Sequence, residues 1–180
     1  MTLTDLETWF WRATVMALGL DPDTNTEAVQ SRVRISWTFG NTNWTPQDSV
    51  TFLRITGSND NYARLHDRYV TYDPVTGKCK MHVRYHRSYM VSWICYGPTA
   101  DEDADKIRIG LFSTEIHEML LSHNIAPFVQ MREPIRAPEQ EQSGEWFERV
   151  DVQDECYVLT ERVYDENYIN VPPEINVAGS

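Results

Sequence analysis

Between two turn signals lies a nineteen-residue run, Lys78 to Tyr96, whose side chains alternate as an extended strand requires. Cys79, Met81, Val83 and Tyr85 interleave with Lys80, His82, Arg84 and His86, so the first half has one apolar and one basic face. From Tyr89 to Tyr96 the run is apolar on both sides apart from Ser92, as in a strand covered by protein. Fully extended it spans about 60 Å, longer than an ordinary strand. Either a bulge near Arg87 and Ser88 bends it, or its outer half projects beyond the body. A partner strand is expected over Ala63 to Tyr72, joined to it by the turn cluster Asp73, Pro74 and Gly77. If the hairpin from Leu65 to Tyr96 projects, it is an assembly arm.

Around this hairpin the periodicities alternate between helix and strand. A helix is expected from about Leu3 to Leu18, opened by a capping box of Thr4 and Glu7 and closed by Gly19. Leu6, Trp9, Phe10, Ala13, Met16, Ala17 and Leu20 form its buried face. Trp11, Val15 and Leu18 form a second stripe, so the helix is either enclosed or touches a partner subunit. After a linker, Asp21 to Glu27, strands are expected at Arg32 to Trp37 and Val50 to Thr56, with a loop from Gly40 to Pro46 between them. Gly97 and Pro98 end the long strand. One helix then runs from Asp101 to about Ser122, with Gly110 inside it marking close approach of a neighbouring element. Phe128 to Arg132 reads as a short strand, Glu133 to Ser143 as a loop, and Trp146 to Val163 as a last strand or bent pair. The fold class is α+β: a curved, mixed or mostly antiparallel sheet with two helices packed on it and a long β-hairpin arm. Residues 1–163 form a single domain, and 164–180 a tail that lies on a partner or is disordered.

Charge narrows the partners. Sixteen Lys and Arg stand against 27 Asp and Glu, a net charge of -11, which repels phosphates and disfavours sequence-reading nucleic-acid binding. An acidic conduit, by contrast, lets a duplex slide through without sticking. Cys79, Cys95 and Cys156 are widely spaced and form no CxxC pair, so they read as reduced core residues. Asp5 and Glu7 stand where a signal peptide carries basic residues, and no apolar run reaches membrane-spanning length.

Motifs for chemistry fail one by one. His82 and His86 on a strand are separated by about 13 Å, too far for one ion. His117 and His123, six apart on a helix, face different ways. Asp101, Asp103 and Asp105 imitate a calcium loop, but its sixth position is Lys106 and its twelfth Phe112, which leaves helix capping. Glu115 and Glu118 beside His117 read as a solvated helix face. No GxSxG, GxxxxGK[ST] or GxGxxG pattern occurs. The basic cluster Lys78, Lys80, His82, Arg84, His86 and Arg87 has two readings: charged protection of an exposed edge, or an arm that meets the acidic surface of a neighbouring copy.

Five strings, VRISW at 33–37, VTFLRIT at 50–56, VSWICYGP at 91–98, IRIGLF at 107–112 and GEWFERVDV at 144–152, resemble the neck or tail terminator proteins of tailed bacteriophages. These are core sequences rather than catalytic motifs. The resemblance implies a structural virion protein with no catalytic, cofactor or metal site, assembled in the host cytoplasm. Its partners would be copies of itself in a ring of about six, the tail tube protein, head–tail connector or adaptor proteins and the tail sheath. Viral DNA would pass without being read. Trp11, Val15 and Leu18, with Lys80, His82, Arg84, His86 and Arg87, are the expected subunit contacts. The alternatives are a head-side adaptor or stopper, or, in another class, a small host ligand-binding or hydrolase domain.

Overall fold

The computed structural model describes residues 2–24, 27–36, 45, 48–57, 65–127, 134–137, 139–140 and 146–166. The first helix, α1 (Leu3–Ala17), starts two residues before the expected box, because Thr2 and Asp5 offer the same reciprocal pairing. Thr2 Oγ1 accepts from the Asp5 N–H at 3.1 Å, and Asp5 Oδ2 from the Thr2 N–H at 2.7 Å. Gly19, at φ +76°, ends the helix as expected. A short helix, α2 (Glu27–Arg32), leads into β1 (Val33–Ile35), so Arg32 is the last helical residue rather than the first of a strand. Trp37, the expected end of that strand, lies outside the described residues, as does most of the expected loop from Gly40 to Pro46.

The strands β2 (Val50–Gly57), β3 (Leu65–Asp73), β4 (Lys78–Tyr96), β5 (Ile125–Pro127), β6 (Ile135–Arg136) and β9 (Arg149–Glu166) join β1 in one mixed sheet. Its order is β1-β2-β4-β9-β5, with β3 beside β4 and β6 beside β9. The only parallel pair among the described strands is β1 with β2. A separate ribbon pairs β7 (Glu139–Gln140) with β8 (Trp146–Phe147). The nineteen-residue strand exists as one element, with β9 paired along its whole length from Cys79↔Glu166 to Tyr96↔Arg149 without a register shift. No bulge breaks that pairing at Arg87 or Ser88. Two corrections follow. The segment read as a loop from Glu133 to Ser143 contains β6 and β7, and β9 continues through Tyr164–Glu166, where the tail was expected to begin. The strand expected at Phe128 to Arg132 lies outside the described residues, immediately after β5.

The expected helix from Asp101 to Ser122 is two helices, α3 (Ala100–Gly110) and α4 (Thr114–Ser122). Their buried residues explain the break. Ile107 and Leu111 are four apart, as are Ile116 and Leu120, but Leu111 to Ile116 is a step of five. On one straight helix that step would turn Ile116 about 140° away from Leu111. Interrupting the helix at Leu111–Ser113 lets all four reach the core. Gly110 ends α3 where a side chain would collide with α1: a Cβ there would sit 2.6 Å from Ala17 Cβ. The close approach read from this glycine is therefore real, and the neighbour is α1.

Helices α1, α3 and α4 cover the sheet through Leu6, Phe10, Ala104, Ile107, Leu111 and Leu120, over Leu53, Val91, Trp93, Val150, Val152 and Val158. Trp93 is fully buried, and its Nε1 donates to Thr14 Oγ1 at 2.8 Å, while that hydroxyl donates to the Phe10 carbonyl at 2.7 Å. The indole's one polar atom is thus satisfied inside the core. Cys79, Cys95 and Cys156 are free thiols and buried, as their spacing implied.

Candidate assembly surfaces

Beyond the helices, the N-terminal half of β4 lies between β3 on one edge and the C-terminal part of β9 on the other. The arm is therefore a three-stranded ribbon rather than a two-stranded hairpin. On its polar face the three strands are tied by a single carboxylate. Glu161 of β9 accepts from His82 Nδ1 at 2.8 Å and from the Tyr69 hydroxyl at 3.0 Å, with Arg84 Nε at 3.5 Å. The Tyr69 ring stacks on His82 with centroids 4.6 Å apart, Arg84 lies over the Tyr69 ring, and His82 Nε2 meets Thr71 Oγ1 at 2.8 Å. The hydrogen bonds from His82 and then Tyr69 hold the Glu161 carboxyl below the usual glutamate range against the opposing effect of desolvation, and Arg84 adds a smaller lowering. Burial and the Glu161 hydrogen bond push the Tyr69 phenol upward.

This clasp changes the reading of the basic cluster. His82 and Arg84 find their carboxylate within their own chain, and Lys80 stands in register with Asp165. Arg87 is exposed and lies over the Tyr89 ring, while His86 lines a groove at the base of the arm. The arm's Arg68, Lys78, Lys80, Arg84 and Arg162 are matched in number by Asp67, Asp73, Glu161, Asp165 and Glu166, so the acidic surplus belongs to the rest of the chain. What the sequence concealed was β9 as the third strand. The alternation of Glu161, Val163 and Asp165 was its signal, but it crosses the expected boundary of the tail.

Glu161→Gln keeps the shape and removes the charge that His82 and Arg84 share. Because the folded carboxyl titrates below its unfolded value, its contribution is present above about pH 4.5 and fades as pH falls through the lower folded value. Wild-type arm amides are expected to lose hydrogen-exchange protection on acidification below that point. The variant should show the weaker protection already at neutral pH, and equal protection in both proteins at pH 7 would refute the clasp.

The other face of the arm is accessible and carries most of its apolar side chains, with Arg68 and Arg162 in register on either side of Val83. Val70, Tyr72 and Tyr164 are exposed, Val75 stands 91 % exposed at the hairpin turn, and Met81 and Val83 between them are half-buried. Exposed apolar residues concentrated on a projecting element mark a protein-binding surface.

The second stripe of α1 is covered from within the chain. Val15 is fully buried against Val29 of α2 and Val33 of β1, and Trp11 Nε1 donates to the Val33 carbonyl at 3.0 Å. Val15 therefore offers no surface to a neighbouring subunit, contrary to the expectation that it lies at an interface. Trp11 and Leu18 pack on the same cluster and stay half-exposed. The unforeseen helix α2 supplies the cover.

The three aspartates of the imitated calcium loop diverge. Asp101 pairs with Arg136 at 2.7 Å, Asp105 is exposed, and Asp103 turns inward to Arg32. Arg32 Nη2 lies 3.0 and 2.9 Å from the two Asp103 oxygens, and the Thr99 hydroxyl donates to Oδ2 at 2.8 Å. His123 stacks on Trp9, with centroids 3.4 Å apart. Among the described residues no three His, Cys, Asp or Glu are placed to hold a metal, and no helix is long and apolar enough to cross a membrane.

The family model for the phage neck terminator protein matches residues 4–179, nearly the whole chain. No curated protein matches it. The chain belongs to the phage neck terminator protein family, a family of structural proteins of the virion neck that associate with other neck and tail proteins.

Proposed function

We propose that copies of this chain, about six, close into a ring at the neck that terminates the tail tube and joins the tail to the head-side connector around the DNA channel. The match over residues 4–179 carries this reading. The projecting arm supports it, because an element that pairs charges within its own strands and exposes Val70, Tyr72 and Tyr164 suits contact with a neighbour. A net charge of -11, concentrated outside the arm, suits passage of DNA without adhesion. The tail tube protein, connector or adaptor proteins and the sheath of a contractile tail are the partners in this arrangement.

Disrupting the gene in its phage and imaging the lysate by negative-stain electron microscopy tests the proposal. Full heads beside unattached, overlong tails are expected. Unattached tails of normal length would reduce the role to joining, and intact infectious particles would overturn it.

A further inference from the structure

Where the arm meets the body, a groove of about 460 Å³ is lined by His86, Leu121, Asn124, Ile125, Tyr157 and Leu159. It opens where one edge of β9 loses its cover. The β5 strand pairs with β9 only at Cys156–Val158, and the Leu159 N–H donates to the Asn124 carbonyl. Strand alternation then turns the N–H and C=O of Glu161, Val163 and Asp165 outward on the same side, where they have no ladder partner among the described residues. An apolar groove beside a free strand edge has the form of a site for an added strand.

The chain carries a segment of matching chemistry. After Glu166 come fourteen residues that include Pro172, Pro173 and then Glu174, Ile175, Asn176 and Val177, whose apolar members are two apart. They start at the distal end of the arm, since Glu166 pairs with Cys79 beside the hairpin turn. Folding back along the same edge of β9 would bring the two prolines into the ladder. Adjacent strand residues point their N–H groups to opposite sides, so one proline would face the edge with no donor to give. In a tail that reached a neighbouring copy instead, two successive prolines would serve as a stiff spacer of about 3.1 Å per residue.

We propose that Glu174–Val177 of one copy adds to the free edge of β9 in the next copy and seats Ile175 and Val177 in the groove beside Leu159. The contact joins two different surfaces, tail and groove, and a repeated contact of that kind gives a ring when its rotation closes, as the ring reading requires. This inference rests on the ring reading and names one of its joints.

The full-length protein with Ala126→Cys, an exposed groove residue, and Val177→Cys tests it, the three native thiols being buried. Under mild oxidation, with light scattering run in parallel, the expected result is a ladder of disulfide-linked oligomers. Mixing the two single variants should give a linked dimer. A cross-link found only within single chains would overturn the exchange between copies. A ring by light scattering with no cross-link would overturn the joint and leave the ring standing, and a monomer by light scattering would remove both.

Discussion

Arg32→Met is expected to lower the stability of this protein by about 3–5 kcal/mol, the cost of leaving a buried carboxylate without its counter-charge. The side chain of Asp103 is only 2 % exposed, and Arg32 is the one cation paired with it among the described residues. The guanidinium also donates to the Ser49 carbonyl and so ties α2 to α3 and to the entry of β2. Equilibrium urea denaturation measures the loss. A chain of this size should also show an apparent Tm lower by roughly 10 °C. Adding Asp103→Leu to Arg32→Met removes the stranded charge and should restore most of the stability, because an apolar replacement of a whole buried pair is often neutral. A double variant as unstable as Arg32→Met alone would show that the cost is lost packing rather than an unpaired charge.

The second large effect concerns Asp154, which is 5 % exposed on the core side of β9, opposite Val91. Its Oδ1 accepts the Glu155 N–H at 2.8 Å, but burial dominates and raises its pKa from 3.8 to about 7, with the Glu155 charge adding to the rise. The neighbouring Cys156 thiol is pushed up by the same burial. A carboxyl whose folded pKa exceeds its unfolded value contributes stability below the unfolded value, and that stability is lost as pH rises through about 7. Asp154→Asn is therefore expected to stabilise the protein at pH 8 by about 2–4 kcal/mol and by much less at pH 5. Denaturation of both proteins at the two pH values reads the difference directly. A gain that is equal at both, or a loss at pH 8, would mean that Asp154 is not buried as a protonated acid in the native state.

Local periodicity was a sound guide wherever an element's own side chains decide its form. The long strand at Lys78–Tyr96, the first helix with its end at Gly19, and β2 are where the alternation placed them. Gly110 announced a close approach from sequence alone, because only a clash makes a glycine worth its cost inside a helix. The break between α3 and α4 was equally present in the sequence, as the step of five from Leu111 to Ile116. It becomes decisive only once one sheet face must receive both halves. The family resemblance, carried by five short strings, agrees with the family match over residues 4–179.

By itself the sequence determined the first helix, β2 and the long strand, but not α2, β5, β6 or β7; it also placed a basic cluster on the hairpin of an acidic chain and carried the resemblance to the phage neck terminators. The tertiary structure alone decided which charges meet. Glu161 lies 79 residues from His82 and Asp103 lies 71 from Arg32, and no periodicity reports on pairs so far apart. The same holds for Val15, whose stripe on the helical wheel looked open until α2 and β1 covered it. Amphipathicity shows that a face must be buried. What buries it depends on strand register and helix docking, which arise from the whole chain at once.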